Sequence, residues 1–305
     1  MSEPAVLPAA EDALAAGAVQ LRPIEPGDRD AAARIVYQAF AGIHDHHRFP
    51  RDFPTLEAAR DLVGSFIAHP SIWGVVADLD GGIVGSNFLD ERGPVRGVGP
   101  ITVDPEAQAA GVGRRLMQAV IERGADARGI RLLQDSFNTR SLALYASLGF
   151  EVAEPVALMG GTPRATLDRH VEVRPLVHDD LKAAERLCLS VHGFERTNEL
   201  RDALEAPGLR PFAAIRDGRL VAYATTLSFF PAAYAVAESQ EDMTTLIAGA
   251  LAGSDAPASF LLPTREHELL RWCLQAGLRI VKPMTYMVIG EHRRPRGAWI
   301  PSVLY

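Results

Sequence analysis

Residues 101–116 read ITVDPEAQAAGVGRRL, and this stretch decides the fold. A β-type run ends at Val103, and Pro105 stops it because proline has no N–H to give to a ladder. A loop of small residues then opens a helix through Gly111 and Gly113. N–H groups at a helix start have no intrahelical partner, and the macrodipole adds partial positive charge, so such a start attracts anions. The two glycines let the backbone approach a phosphate closely. Arg114 and Arg115 add positive charge, with one or both expected to reach a phosphate. The combination suits a pyrophosphate. The other common phosphate loops fit poorly: there is no G-x-x-x-x-G-K-[ST], and no G-x-G-x-x-G behind the first strand.

Downstream, residues 138–150 read NTRSLALYASLGF. Asn138 is placed to cap a helix and Gly149 to end it. The Q-x-x-G-x-G spelling after a strand–Asp–Pro turn resembles the pyrophosphate signature of the GNAT acyltransferase superfamily. The N-x-x-[AS]-x-x-L-Y-x-x-x-G-F stretch is similar to that superfamily's second conserved segment. These specific motifs cover Val98–Phe150. The resemblance implies acetyl-CoA as acyl donor. Its pyrophosphate would lie on Gln108, Ala109, Ala110, Gly111, Val112, Gly113, Arg114 and Arg115. The pantetheine arm would run along the backbone of Ile101, Thr102 and Val103 and past Asn138, Ser141 and Tyr145. A backbone N–H of 101–103 would polarise the thioester carbonyl, and Tyr145 would protonate the leaving thiolate. An amine would attack directly, with no covalent enzyme intermediate and no metal. For the base, Glu91 is the first choice, at the end of the strand before the active-site strand. Its neighbour Asp90 and the fifth-strand Asp135 are the alternatives, and a plain surface-charge role competes for each.

Working outward, the pattern around this segment is β-α-α-β-β-β-α-β-α-β over residues 19–158. Strands are expected at 19–23, 73–78, 83–89, 95–103, 132–136 and 152–158. Helices are expected at 28–40, 56–68, 111–128 and 141–148, with an irregular stretch at 41–54. Asp80-Gly81-Gly82 marks a hairpin. The opening then recurs. Val19–Ile24 (VQLRPI) matches Val171–Leu176 (VEVRPL), and the offset persists at Asp28/Asp180 and Arg34/Arg186. Near each copy's end, Leu142–Phe150 matches Leu270–Leu278 on Gly149 and Gly277. Duplication follows. The expected architecture is α/β (α+β), with two GNAT-like domains, each a mixed, mainly antiparallel sheet flanked by helices. We expect a flexible tail over 1–18, a catalytic domain over 19–162, a linker over 163–168 and a degenerate copy over 169–305. The second copy lacks Q-x-x-G-x-G over 228–253 and has Cys273 where the first has Tyr145. It is expected to shape the acceptor cleft or to mediate homodimer contacts.

Composition sets outer limits. The 305 residues carry a net charge of −7, so no basic footprint for nucleic acid is present. The uncharged run 220–237 contains Pro231 and reads as buried strands rather than a membrane span. Two cysteines cannot form a disulfide framework, and a cytoplasmic location fits. The segment Ile43–Pro50 (IHDHHRFP) lacks the ligand geometry of a metal site and is read as a loop, either structural or touching the acceptor. The apolar segment Trp299–Tyr305 is expected to dock, and its Tyr305 carboxylate is one candidate visitor to the first domain's cleft. The function expected is acetyl transfer from acetyl-CoA to a small-molecule amine. Transfer to a protein or peptide amine, and acyl-CoA sensing without catalysis, are the rivals.

Overall fold

The computed structural model describes residues 19–164, 170–229, 233–252 and 257–304. The tail expected over 1–18, residues 165–168 of the expected linker, and Tyr305 lie outside them. The first copy runs β1 (Val19–Pro23), α1 (Arg29–His47), α2 (Leu56–Ala68), β2 (Ile72–Leu79), β3 (Gly82–Asp90), β4 (Val95–Val98), β5 (Thr102–Val103), α3 (Val112–Arg123), β6 (Gly129–Asp135), α4 (Thr139–Ser147) and β7 (Glu151–Gly161). The second runs β8 (Glu172–Pro175), α5 (Leu181–His192), α6 (Thr197–Glu205), β9 (Phe212–Arg216), β10 (Arg219–Ala224), β11 (Ala235–Ala237), α7 (Gln240–Ala250), β12 (Ala258–Pro263), α8 (His267–Gln275), β13 (Arg279–Gly290) and β14 (Ala298–Ile300). Among the described residues no helix is long and apolar enough to cross a membrane.

Periodicity accounts for most of these elements. On α3, Val112, Leu116, Met117 and Val120 are buried, the one-face spacing of an amphipathic helix. Two expectations need correcting. The strand expected over 95–103 is broken into β4 and β5, because Gly99 takes φ 134 and Pro100 has no N–H for a ladder. The helix expected to stop at Phe40 continues to His47, so the histidines read as a loop are helical. Nothing in 41–47 breaks a helix beyond one glycine, and α1 ends where Arg48 turns to φ 59.

The duplication is visible atom by atom. In the first copy, Arg22 Nη1 donates to Asp28 Oδ2 at 2.7 Å and the Glu25 amide donates to the same carboxylate at 2.8 Å. In the second, Arg174 Nη1 donates to Asp180 Oδ2 at 2.8 Å and the Val177 amide follows at 2.9 Å. The guanidinium hydrogen bond holds each of Asp28 and Asp180 below the usual carboxylate range, against partial burial. The two helix-ending glycines also match, Gly149 at φ 95 and Gly277 at φ 97.

The copies do not remain separate sheets. Among the described residues, one sheet has the order β1-β2-β3-β4-β6-β13-β7-β12, with β5 beside β3, and the other β14-β11-β10-β9-β8. Strand β13 of the second copy is inserted between β6 and β7 of the first, pairing antiparallel with both. Strand β7 in turn lies between β13 and β12 of the second copy. The copies have exchanged last strands. A shared core forms over the exchange, with Val95 and Val156 of the first copy packed among Phe229, Met284, Tyr286 and Trp299 of the second.

Candidate active site

The site begins where two strands part. β4 and β6 pair in parallel only at Val95–Gly97 against Gly129–Arg131. Beyond that point Val98 stays on β3, as do Thr102 and Val103 of β5. β6 instead continues to Asp135 with β13 as partner. The edges diverge, and a cavity of about 810 Å³ opens between them, lined by Val98 and residues 101–103 on one side and by residues 132–135 on the other.

One end of the cavity is bounded by the starts of α3 and α4. The first hydrogen bond of α3 runs from the Arg115 amide to the Gly111 carbonyl, at 3.2 Å. The amides of Val112, Gly113 and Arg114 therefore precede the ladder and are left for an external acceptor. Gly111 supplies the left-handed turn at φ 71. A Cβ on Gly113 would stand 3.6 Å from both Val103 and Leu144, inside the groove. Arg114 lines the cavity and donates to Ser147 Oγ at 2.7 Å. Arg115 points elsewhere, donating to the Val19 carbonyl at 2.8 Å. The Val112 side chain is core. Gln108, Ala109 and Ala110 belong to the 3₁₀ turn Pro105–Ala110, and their side chains lie outside what is described. Asn138 caps α4 by accepting from the Ser141 amide at 3.1 Å. Tyr145 and Ser141 both line the cavity. Burial pushes the Tyr145 phenol up to about 12, partly offset by a hydrogen bond with Ser141, so it holds its proton at neutral pH. The buried Gln134 amide also lines the cavity, and among the described residues neither its nitrogen nor its oxygen has a hydrogen-bond partner.

The other end holds a cluster that the sequence reading did not assemble. Lys282 Nζ, from exchanged strand β13, lies 2.6 Å from Asp52 Oδ1, 2.7 Å from Asp135 Oδ1 and 3.0 Å from His44 Nε2. The ammonium is hydrogen-bonded to both oxygens of Asp52 and is in ion-pair contact with Asp135. His44 Nδ1 donates to the Phe40 carbonyl at 2.7 Å, which orients the ring. His44, Asp52 and Asp135 present ligand atoms within 4.8 Å of one another, but the ammonium takes the place a cation would occupy. Burial raises the Asp135 carboxyl, and although Lys282 pulls it down, it stays above the usual range. Burial also raises Asp52, but the hydrogen bond with His44 and the Lys282 charge outweigh this and leave it low. Burial would lower His44, yet Asp52 raises it further than burial lowers it. Burial and the neighbouring charges thus set the two carboxyls apart, Asp52 low and Asp135 raised.

A pH dependence follows. Because the fold raises the His44 pKa, its contribution to stability is full below its ordinary value of 6.5. That contribution is lost as pH rises through the raised value. The gap in thermal midpoint between the native chain and His44→Gln should narrow from about pH 6 to about pH 9. A gap that stays constant would show that His44 holds no additional proton in the fold.

Glu91 is not brought to this cavity. It accepts from Arg123 Nη2 at 2.9 Å and lies 3.3 Å from Arg96, on the α3 side of the sheet. Asp90 is engaged by Arg92. Asp135 is the one of the three expected bases that lines the opening. His44, Asp52, Lys282 and Gln134 were missed. Lys282 carried a signal, since it shares the inward row of β13 with the buried Met284, Tyr286 and Val288, where a lysine needs a partner.

Residues 70–152 match the acetyltransferase (GNAT) domain family. The whole chain is similar in fold to a putative acetyltransferase from Pyrococcus horikoshii, with a TM-score of 0.65 at 15% identity over 94% of this chain and 96% of that one. A GCN5-related N-acetyltransferase from Sphaerobacter thermophilus aligns with a TM-score of 0.60 at 14% identity, over 90% and 96% of the two chains. A tandem GNAT protein from the clavulanic acid biosynthesis pathway aligns with 0.56 at 14% identity, over 89% and 98%. No curated protein matches in sequence.

The second GNAT-like copy is closed at the corresponding place. α7 starts on a Ser239 cap instead of a glycine loop, and Gln240 Oε1 accepts from the amides of Glu268 and Leu269 at the start of α8. Strand β14 pairs with β11 through Ala235–Ile300 and Ala237–Ala298 and lies against β12. It lies between β11 and β12, at the place that corresponds to the opening between β4 and β6 of the first copy. The segment after β14 then crosses to the first domain, where Val303 and Leu304 line the cavity. Gly97 permits this approach, since a Cβ there would collide with the Leu304 carbonyl. Tyr305, whose carboxylate was considered as a visitor to this cleft, lies outside the described residues.

Proposed function

We propose that the chain is an N-acetyltransferase that moves an acetyl group from acetyl-CoA to a small-molecule amine. Residues 19–162 form the catalytic domain in this reading, and 169–305 the domain that completes its acceptor end. The observation that carries it is the parted edge between β4 and β6, with unladdered amides at one end and Tyr145 and Asp135 within it. The groove at Gly113, which a side chain would fill, suits a pyrophosphate. Backbone groups of 101–103 then lie along the pantetheine, with Asn138 and Ser141 facing it.

The chemistry follows from the proton states. Asp135, with its raised pKa, is the better matched base for an acceptor ammonium. The freed nitrogen lone pair attacks the thioester carbon and the C–S bond breaks. Tyr145 gives its proton to the sulfur. The acceptor ammonium loses two protons in all: one restores Tyr145 and the other leaves to solvent through the His44–Asp135 cluster. A sensor without chemistry has no use for a protonated phenol and a buried carboxylate at one opening. The two buried free thiols, Cys188 and Cys273, fit a reducing cytoplasm.

Titration calorimetry with acetyl-CoA and CoA release over an amine library test this reading together. Binding in the micromolar range and amine-dependent release are expected. Gly113→Glu should abolish both, because its carboxylate would enter the groove and repel the phosphates. A folded native chain that binds no acetyl-CoA would end the proposal.

A further inference from the structure

We infer that the acceptor is a primary amine on an apolar alkyl or arylalkyl body that carries no carboxylate of its own. This rests on the acetyltransferase reading and specifies its second substrate. The acceptor end of the cavity is walled by Phe40, Phe53, Phe66, Phe229, Met284 and Leu304. All but Phe40 are nine-tenths or more buried. Such a wall suits an apolar body and offers no partner to hydroxyl or carboxyl groups.

The buried charged side chains that line this end are both carboxylates. Asp52 and Asp135 line the cavity, both under a tenth exposed at the side chain. Lys282 stands behind them at 1% exposure, hydrogen-bonded to both oxygens of Asp52 and in ion-pair contact with Asp135. Arg140 lines the cavity from the first turn of α4, but it is exposed and its charge is screened by solvent. An entering ammonium is attracted by the two aspartates. An entering carboxylate would be repelled by both.

Asp135 also fixes where the ammonium sits. Its charge is felt by the Tyr145 phenol, so a nitrogen held by Asp135 is near the group that serves the leaving sulfur. An apolar body then extends toward Phe229 and Leu304, which the second copy contributes. The second domain thereby selects the acceptor without a cofactor site of its own.

The test compares matched pairs on the full chain: phenethylamine against phenylalanine, and hexylamine against 6-aminohexanoate. Initial rates of CoA release, with product masses, give kcat/KM ratios. The carboxylate-free member should be preferred by about 100-fold or more in each pair, the order of discrimination expected when a buried polar group is left unpaired. Thermal shifts of the CoA-loaded protein with each amine give a second readout that does not depend on turnover. Selective stabilisation by phenethylamine and hexylamine supports the assignment even if acetyl transfer fails. Equal or better rates with the amino acids overturn it, and so does an absence of any shift or rate with the apolar amines. Failure to bind acetyl-CoA at all would overturn the acetyltransferase reading, and the amine shifts, repeated without CoA, would still decide the acceptor class.

Discussion

A chain that ends at Arg164 should not yield a folded domain, although it contains every GNAT motif. Ending it there removes β13, which pairs with β6 from Gly129 to Asp135 and with β7 from Glu151 to Gly160. Both strands would become bare edges carrying apolar side chains, a ready template for aggregation. The core under the exchange would lose Phe229, Leu261, Met284, Tyr286, Val288 and Trp299. Each such side chain contributes about 1.5–3 kcal/mol when buried, and net stability of a whole domain is only about 5–15 kcal/mol. Soluble yield, gel filtration and circular dichroism would report the outcome. Insoluble or non-cooperative material is expected from residues 1–164 alone, and recovery of acetyl-CoA binding when 165–305 is co-expressed. A monomeric fragment with a cooperative melt would show that the exchanged strand is dispensable.

Tyr145→Phe should lower kcat by about 10²–10⁴, the usual span for one positioned acid. Affinity for acetyl-CoA should remain within about threefold, because the ring stays in place and loses only the hydroxyl. Tyr145 packs edge-on to Phe150 at 6.2 Å between centroids, and phenylalanine can keep that contact. The hydroxyl bonds Ser141, a partner near solvent, so stability should change little. Acyl donors with poorer leaving thiolates, such as acetyl-CoA, should suffer more from the change than activated aryl thioesters. Equal turnover in the variant would remove Tyr145 from the proton path.

The end of the cavity where α3 and α4 start was legible in the sequence because its structure is local. A helix start, a cap and a terminal glycine are set by neighbouring residues, and residues 101–116 and 138–150 fold as read. The repeat was legible for the same reason, down to Arg22–Asp28 and Arg174–Asp180. The acceptor end was not. Its four charged groups come from α1, the loop after it, β6 and β13, and His44 and Lys282 are 238 residues apart. No periodicity carries such a pairing. Glu91 lies just past the end of β3 and turns to Arg123 and Arg96, while β6 brings Asp135 to the opening.

Strand β14 gives the second copy a different standing from a site that has merely decayed. A segment tethered to the sheet it occupies competes at a fixed effective concentration, in the millimolar range or higher for a short tether. A free nucleotide thioester would have to outbid that neighbour and also break the β11 ladder. The second copy is therefore a receptor already saturated by its own chain. Restoring a glycine loop there would not revive it while Ala298–Ile300 remains seated.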